Sequence, residues 1–235
     1  MILACTDFFP QYPAMTTFSR RRFLQLTSLV LPPMIAGRVF AAGEPAWQSL
    51  FDGKTLTGWK APNFSGQGTV EIENGTLVLG MGSDITGMNP VGDFPKTNYE
   101  VSLEASRQDG SDFFCGLTLP YGDSAFTFVV GGWGGALVGL SSINGDDASE
   151  NETTKFQKFD KGRWYKVRVR VTPQKIEAWL DDDKMVNLET EGKKISMRPG
   201  EIEASAPFGI ATFRTQAAFR EIKIRRLEPT TGGAK

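Results

Sequence analysis

The sequence predicts an all-β fold, two antiparallel sheets packed face to face, on three observations. From Trp47 onward apolar residues recur at every second position; Gly, Pro, Asn and Asp punctuate them at short intervals; and no run carries the spacing of a long amphipathic helix. The chain has 235 residues, 40% of them hydrophobic, which suits one domain that buries its core without covalent staples. No repeat at a fixed period points to a propeller or solenoid.

The elements follow in order. At 70–73 and 76–79, Val-Glu-Ile-Glu and Thr-Leu-Val-Leu flank Asn74-Gly75, a pair that accepts the positive φ angles of a tight hairpin turn. Residues 99–105 alternate Tyr, Val, Leu and Ala against Glu, Ser and Glu. A strand at 113–120 is apolar and carries Cys115. The clearest strand is 164–171, with Tyr165, Val167, Val169 and Val171 on one face and Lys166, Arg168 and Arg170 on the other. Pro173-Gln174 turns it into 175–180, where Trp179 shares the polar face with Glu177 and is placed to stack under Arg168 or Arg170. Asp181-Asp182-Asp183 turns again into 185–188, and strands at 209–214 and 219–227 close the domain. Residues 193–206 lack a pattern and read as a long connection.

Composition excludes several functions. With 26 basic and 27 acidic residues the net charge is −1, which provides no field for binding a polyanion, so nucleic acid is not an expected partner. The chain contains no histidine. Ser-His-Asp and Cys-His schemes, and metal sites built on imidazole, are therefore excluded, and acid–base chemistry falls to carboxylates, Tyr, Lys, Cys or a bound metal.

The first forty residues read as an address. Ser19-Arg20-Arg21-Arg22-Phe23-Leu24 resembles a twin-arginine export signal, and an apolar stretch at 24–36, broken by Pro32-Pro33, is too short to span a bilayer. Small residues at Ala41-Ala42 offer a cleavage point, and Met15 lies four residues before the motif as a candidate start. The expected plan is an export signal at 1–42, one domain at 43–229 and a tail at 230–235, with delivery to the periplasm or cell envelope and no membrane span in the mature chain. Cleavage removes Arg20, Arg21, Arg22, Arg38 and Asp7, leaving 22 bases against 26 acids, a net charge of −4. Cys5 leaves too, so Cys115 has no disulfide partner and reads as a buried, inert thiol.

Three stretches carry a family resemblance: Phe51-Asp52-Gly53-Lys54-Thr55-Leu56-Thr57-Gly58-Trp59, Gly162-Arg163-Trp164-Tyr165 and Phe219-Arg220-Glu221-Ile222-Lys223-Ile224. With them, residues 50–227 resemble the 3-keto-disaccharide hydrolases, also described as 3-keto-glucoside lyase/hydratases. The resemblance implies a concanavalin A/laminin-G-like jelly roll, export, and oxidised sugars as the substrate class. A ketone at C3 acidifies the C2 proton, so a base removes it and the enolate expels the C1 substituent. That chemistry needs a carboxylate, a cation or donor for the enolate oxygen, and an acid for the leaving group. The middle departs from the family pattern: where an acidic Glu-x-Gln-x-x-Asp strand is usual, this chain has Phe126-Thr127-Phe128-Val129-Val130-Gly131-Gly132.

Candidate site residues come from what replaces that strand. In Gly131-Gly132-Trp133-Gly134-Gly135 four glycines free the indole of bulky neighbours, leaving Trp133 as a sugar platform framed by Gly132 and Gly134, or as a ring folded over the core. Asp146, Asp147, Glu150 and Glu152 share one loop as candidate catalytic carboxylates, as ligands for a divalent cation such as Ca2+, or as a solvated acidic loop. Arg220 has the parity of Ile222 and Ile224, so the sheet points it inward unless a bulge intervenes; it is a salt-bridge partner or an enolate anchor. Arg214 is placed to join it, and Asp112 and Asp123, at opposite ends of the 113–120 strand, are candidates for a rim. Two readings stay open: cleavage of 3-keto-glycosides, and carbohydrate binding without turnover. The enzyme reading loses most of its support if none of the four loop carboxylates lines a pocket.

Overall fold

Asn74 (φ +48°) and Gly75 (φ +80°) make the expected left-handed turn, joining the two strands of the hairpin at one edge of a sheet. The computed structural model describes residues 45–228; the expected export signal at 1–42, the Met15 start and the tail at 230–235 lie outside the described residues. Among the described residues fifteen strands make two antiparallel sheets. The eight-stranded sheet contains β1 (Gln48–Ser49), β3 (Val70–Glu73), β4 (Thr76–Leu79), β6 (Tyr99–Gly110), β11 (Trp164–Val171), β12 (Lys175–Leu180), β13 (Asp183–Glu189) and β15 (Thr215–Arg226). Its order is β13-β12-β11-β6-β15-β4-β3, with β1 also paired to β15. The seven-stranded sheet contains β2 (Trp59–Lys60), β5 (Ile85–Pro90), β7 (Cys115–Tyr121), β8 (Ser124–Gly132), β9 (Leu137–Ser141), β10 (Lys155–Phe156) and β14 (Gly209–Phe213), in the order β10-β9-β8-β7-β14-β5-β2.

Period-two alternation builds the core between the sheets. Tyr99, Val101, Leu103 and Ala105 of β6 and Tyr165, Val167, Val169 and Val171 of β11 are fully buried, and they meet Leu117, Leu119, Phe126 and Phe128 in one cluster. Packing them removes their apolar surface from water, at about 25 cal/mol per Å2. Cys115 sits among them as a free thiol, and burial pushes its pKa up to about 12. The expected two-sheet sandwich is the observed architecture.

Trp179 lies under Arg168, with the guanidinium 3.7 Å from the ring centroid, as its place on the polar face of β12 predicts. At Arg220 the bulge intervenes. Pairing of β15 with β6 shifts register between Arg220 and Lys223, and Glu221 takes φ +52°. That one extra residue turns Arg220 outward while Phe219, Ile222 and Ile224 stay buried. Its Nε donates to Glu104 Oε2 at 2.6 Å, and its guanidinium lies 4.1 Å from the Trp164 ring centroid.

Residues 193–206, expected as a bare connection, form a strap over the outer face of the seven-stranded sheet. Ser196 and Ser142 exchange backbone hydrogen bonds of 2.7 and 3.1 Å, and Asn89 Nδ2 donates 2.8 Å to the carbonyl of Ala204. A 3-10 turn at Glu201–Ser205 carries Ile202 into a small cluster with Phe64, Ile85 and Ala211. Among the described residues no helix is long and apolar enough to cross a membrane.

Candidate functional site

The strap covers part of the sheet's outer face and leaves a pocket of about 360 Å3 beside it. Alternation on β8 sends Phe126, Phe128 and Val130 into the core and turns Thr127 and Val129 toward the pocket. Thr127 faces Thr118 across the ladder, with their hydroxyl oxygens 2.9 Å apart. The apolar lining is Ile85, Phe113, Val129, Ile202 and Phe213, with the Phe113 and Phe213 rings stacked at 5.8 Å. Trp133, Asp112, Arg198, Glu201 and Ser141 supply the polar and aromatic functions.

Trp133 reaches the pocket because β8 ends in a glycine loop. The β8–β9 register shifts between Val130 and Gly132, and Gly131, Trp133, Gly134 and Gly135 all take positive φ. The indole, 43% exposed, stands on this left-handed segment, with the Arg198 guanidinium 5.6 Å from its ring centroid. The same loop holds Asp112. Asp112 Oδ1 accepts 2.7 Å from the Phe113 N–H, and Oδ2 accepts 3.2 Å from the Gly134 N–H. A Cβ at Gly132 would press on Val129 Cγ1 at 2.8 Å and come to 4.0 Å from Asp112 Oδ1.

Beneath the loop lies Arg107. Its Nη2 donates to the carbonyls of Asp112 (3.0 Å), Gly131 (3.2 Å) and Gly135 (2.9 Å), tying the Asp112 turn to both ends of the Trp133 loop. The Phe114 ring centroid lies 5.0 Å from the guanidinium. Burial holds the Arg107 pKa below its ordinary value, while the charge of Asp112 works in the opposite direction. Arg107 has the parity of Tyr99, Val101, Leu103 and Ala105, so alternation extended two residues further marks it as an arginine on the core face.

The other sequence-derived candidates scatter. Asp147 reaches the pocket through two of its lining residues: Arg198 Nη1 lies 3.0 Å from Asp147 Oδ2, and Ser141 Oγ donates to Asp147 Oδ1. Glu152 pairs with Lys193, and Asp146 and Glu150 are exposed. None of the four loop carboxylates itself lines the pocket. Arg214 holds Asp84 at 2.7 Å and lies 4.9 Å from the ring centroid of Phe213, behind the pocket wall. Asp123 pairs with Lys96 at the far tip of the β7–β8 hairpin, and Arg220 stands on the other sheet.

The divalent-cation expectation finds no matching donor set. Among the described residues no three Cys, Asp or Glu side chains gather to hold a metal, because the loop acids are directed to Arg198, to Lys193 and to solvent. Arg198 and Glu201 of the strap converge with Ser141 of β9 and Phe213 of β14, so local sequence spacing carries no sign of the group. Arg107 did carry a sign, its parity.

Solved structures share the fold at low identity. A candidate glycosyl hydrolase from Parabacteroides distasonis ATCC 8503 aligns with a TM-score of 0.52 and 17% identity, over 77% of this chain and 94% of that one. A protein of unknown function with a galectin-like fold from Bacillus subtilis gives 0.53 and 10%, over 77% and 94%. A structure from work on endo-acting O-glycanases of the human gut microbiota gives 0.52 and 13%, over 79% and 100%. No curated protein sequence matches at a significant level. The model of one family spans most of the chain, residues 46–225, and by that match the chain belongs to the family of the 3-keto-alpha-glucoside-1,2-lyase-like domain.

Proposed function

We propose that this is an exported, carbohydrate-active protein that cleaves 3-keto-glycosides in the pocket under Trp133. The observation that carries the reading is one pocket holding an exposed indole, a fixed carboxylate and a guanidinium. The indole offers a flat apolar surface to a sugar ring, and Gly132 and Gly134 keep the approach open. Asp112 takes the C2 proton. The C–H electron pair forms an enolate whose C3 oxygen Arg198 holds, with Asp147 positioning the guanidinium from behind. As the C3 carbonyl re-forms, C1 and C2 become doubly bonded, the C1–O bond breaks and Glu201 protonates the departing oxygen. The products are an unsaturated 3-keto sugar and a free alcohol, and water adding across the new double bond completes hydrolysis. Asp146, Glu150, Glu152, Arg220 and Asp123 have no part in this scheme, and Arg214 acts only by backing Phe213.

Carbohydrate binding without turnover is the second reading. It is favoured by the outward positions of β8, where Thr127 and Val129 stand instead of acids, and by the four loop carboxylates lying off the pocket lining. One experiment separates the two. Purified protein is incubated with 3-keto-glucosides, with and without divalent cations, and release of the free alcohol is followed. Turnover that falls about 10²- to 10⁴-fold in Asp112→Asn supports cleavage. Absent turnover, together with saturable binding of unmodified glycans that Trp133→Ala abolishes, supports binding alone.

A further inference from the structure

The Trp133 pocket has a neighbour on the far side of its own glycine loop. A second concavity of about 450 Å3 is lined by Ser111, Gly134, Gly135, Phe156, Lys158 and Lys161, among others. The two share a wall: Asp112 and Trp133 line the first, and the residues next to them in the chain, Ser111 and Gly134, line the second. The wall is a backbone ridge. Gly134 and Gly135 put no side chain on it, a methyl group at Gly134 would meet nothing within 4 Å, and Arg107 braces the ridge from below.

Each side of the ridge has an exposed aromatic ring. Phe156, on the edge strand β10, is 73% exposed, and Trp133 is 43% exposed. Of the cations lining this concavity, Lys161 is paired with Asp109 at 2.5 Å and Lys158 with Asp160 at 3.7 Å, while Arg107 is turned to the backbone carbonyls of the ridge. With both rim lysines held by carboxylates and the Arg107 guanidinium committed to carbonyls, the rim offers hydrogen bonds more than a free cation, which suits a neutral, hydroxyl-rich ligand more than a phosphate or an acidic peptide.

Building on the sugar reading of the Trp133 pocket, we propose that the site continues over the Gly134–Gly135 ridge to Phe156 and takes an oligosaccharide chain, with one sugar ring on each aromatic platform. The ligand is then longer than a disaccharide, and Phe156 sets the preference for length.

The test is a length series: gluco-oligosaccharides of two to six units, α- and β-linked, each with its 3-keto derivative, titrated calorimetrically. The readout is the ratio of Kd for the dimer to Kd for the tetramer. The expected ratio is about tenfold in the natural protein, about one in Phe156→Ala and restored in Phe156→Tyr, while Trp133→Ala weakens every length. A ratio of one in the natural protein, or one that Phe156→Ala leaves intact, overturns the extension even as dimer binding upholds the pocket. Binding at no length overturns the pocket reading and the extension with it. Self-association in sedimentation that Phe156→Ala abolishes assigns the ring to a second copy of the chain and also overturns the extension.

Discussion

Two arginines of core parity part ways here, and alternation alone places only one of them. Arg220 has core parity on β15 and faces out, whereas Arg107 has core parity on β6 and is 5% exposed. The difference is one inserted residue in β15, which no propensity at Glu221 announces. Because Arg107 bonds carbonyls and not a carboxylate, its Nη2 acts as a brace for Asp112, Gly131 and Gly135. Arg107→Met leaves those carbonyls without a donor and recovers part of the cost of burying a charge, so the expected loss is about 2–4 kcal/mol in urea unfolding. The brace also makes a local prediction. Hydrogen exchange at 131–135 accelerates in Arg107→Met by more than the global loss of stability explains, and sugar affinity falls with it. Uniform acceleration across the sandwich would reduce Arg107 to a core-packing residue. Trp133 and its glycines were legible because the signal is contiguous; Asp112 and Arg198 meet only through the fold.

Strands were the most readable elements, for a physical reason. A half-buried strand writes its environment into every second residue, so β6, β11, β12 and the β3–β4 hairpin lie where the pattern and Asn74-Gly75 place them. The strap at 193–206 has no such pattern, since it is held by backbone exchange with Ser142 and by Asn89, contacts that any sequence can offer. Yet it supplies Arg198 and Glu201, so the least patterned stretch makes one wall of the site. The β15 bulge yields a test at this scale. Glu221 sits at φ +52°, a region costly for a residue with a Cβ, and its ion pair with Lys223, at 3.8 Å, is exposed. Glu221→Gly therefore stabilises by about 0.5–1 kcal/mol, read as a higher thermal midpoint, with Arg220 still paired to Glu104. A lower midpoint would mean that the Glu221 side chain, not the backbone, maintains the bulge.

At the scale of the whole molecule the two outer faces divide the work. The seven-stranded sheet carries the glycine loop, the strap and the pocket, while the eight-stranded sheet carries a network centred on Glu100, which is fully buried among Arg168 (2.6 Å), Arg170 (3.6 Å) and Arg225 (2.6 Å). Together with the core they set the pH range of the fold. Burial alone would raise the Glu100 pKa, but hydrogen bonds from Arg168 and Arg225 and the charge of Arg170 outweigh it and hold the carboxyl below its ordinary value. The unfolded state therefore takes up this proton first, and the stability Glu100 contributes, complete above the ordinary carboxylate range, is lost as pH falls through the lowered folded value. At the alkaline end the sign reverses. Burial raises Cys115 from 9.0 to about 12 and raises Tyr99 well above 10.0. Once pH exceeds 9, the unfolded chain releases the thiol proton while the folded chain keeps it, so stability falls by about 1.4 kcal/mol per pH unit for this group. Tyr99 adds its own slope above pH 10. Replacing the thiol isolates the first contribution: between pH 9.5 and 11, denaturant unfolding of Cys115→Val follows a slope shallower than the natural protein by about 1.4 kcal/mol per unit. Parallel slopes in the two proteins would mean that the thiol ionises as readily inside the sandwich as outside it, which a fully buried sulfur between two packed sheets does not permit unless the sheets part first.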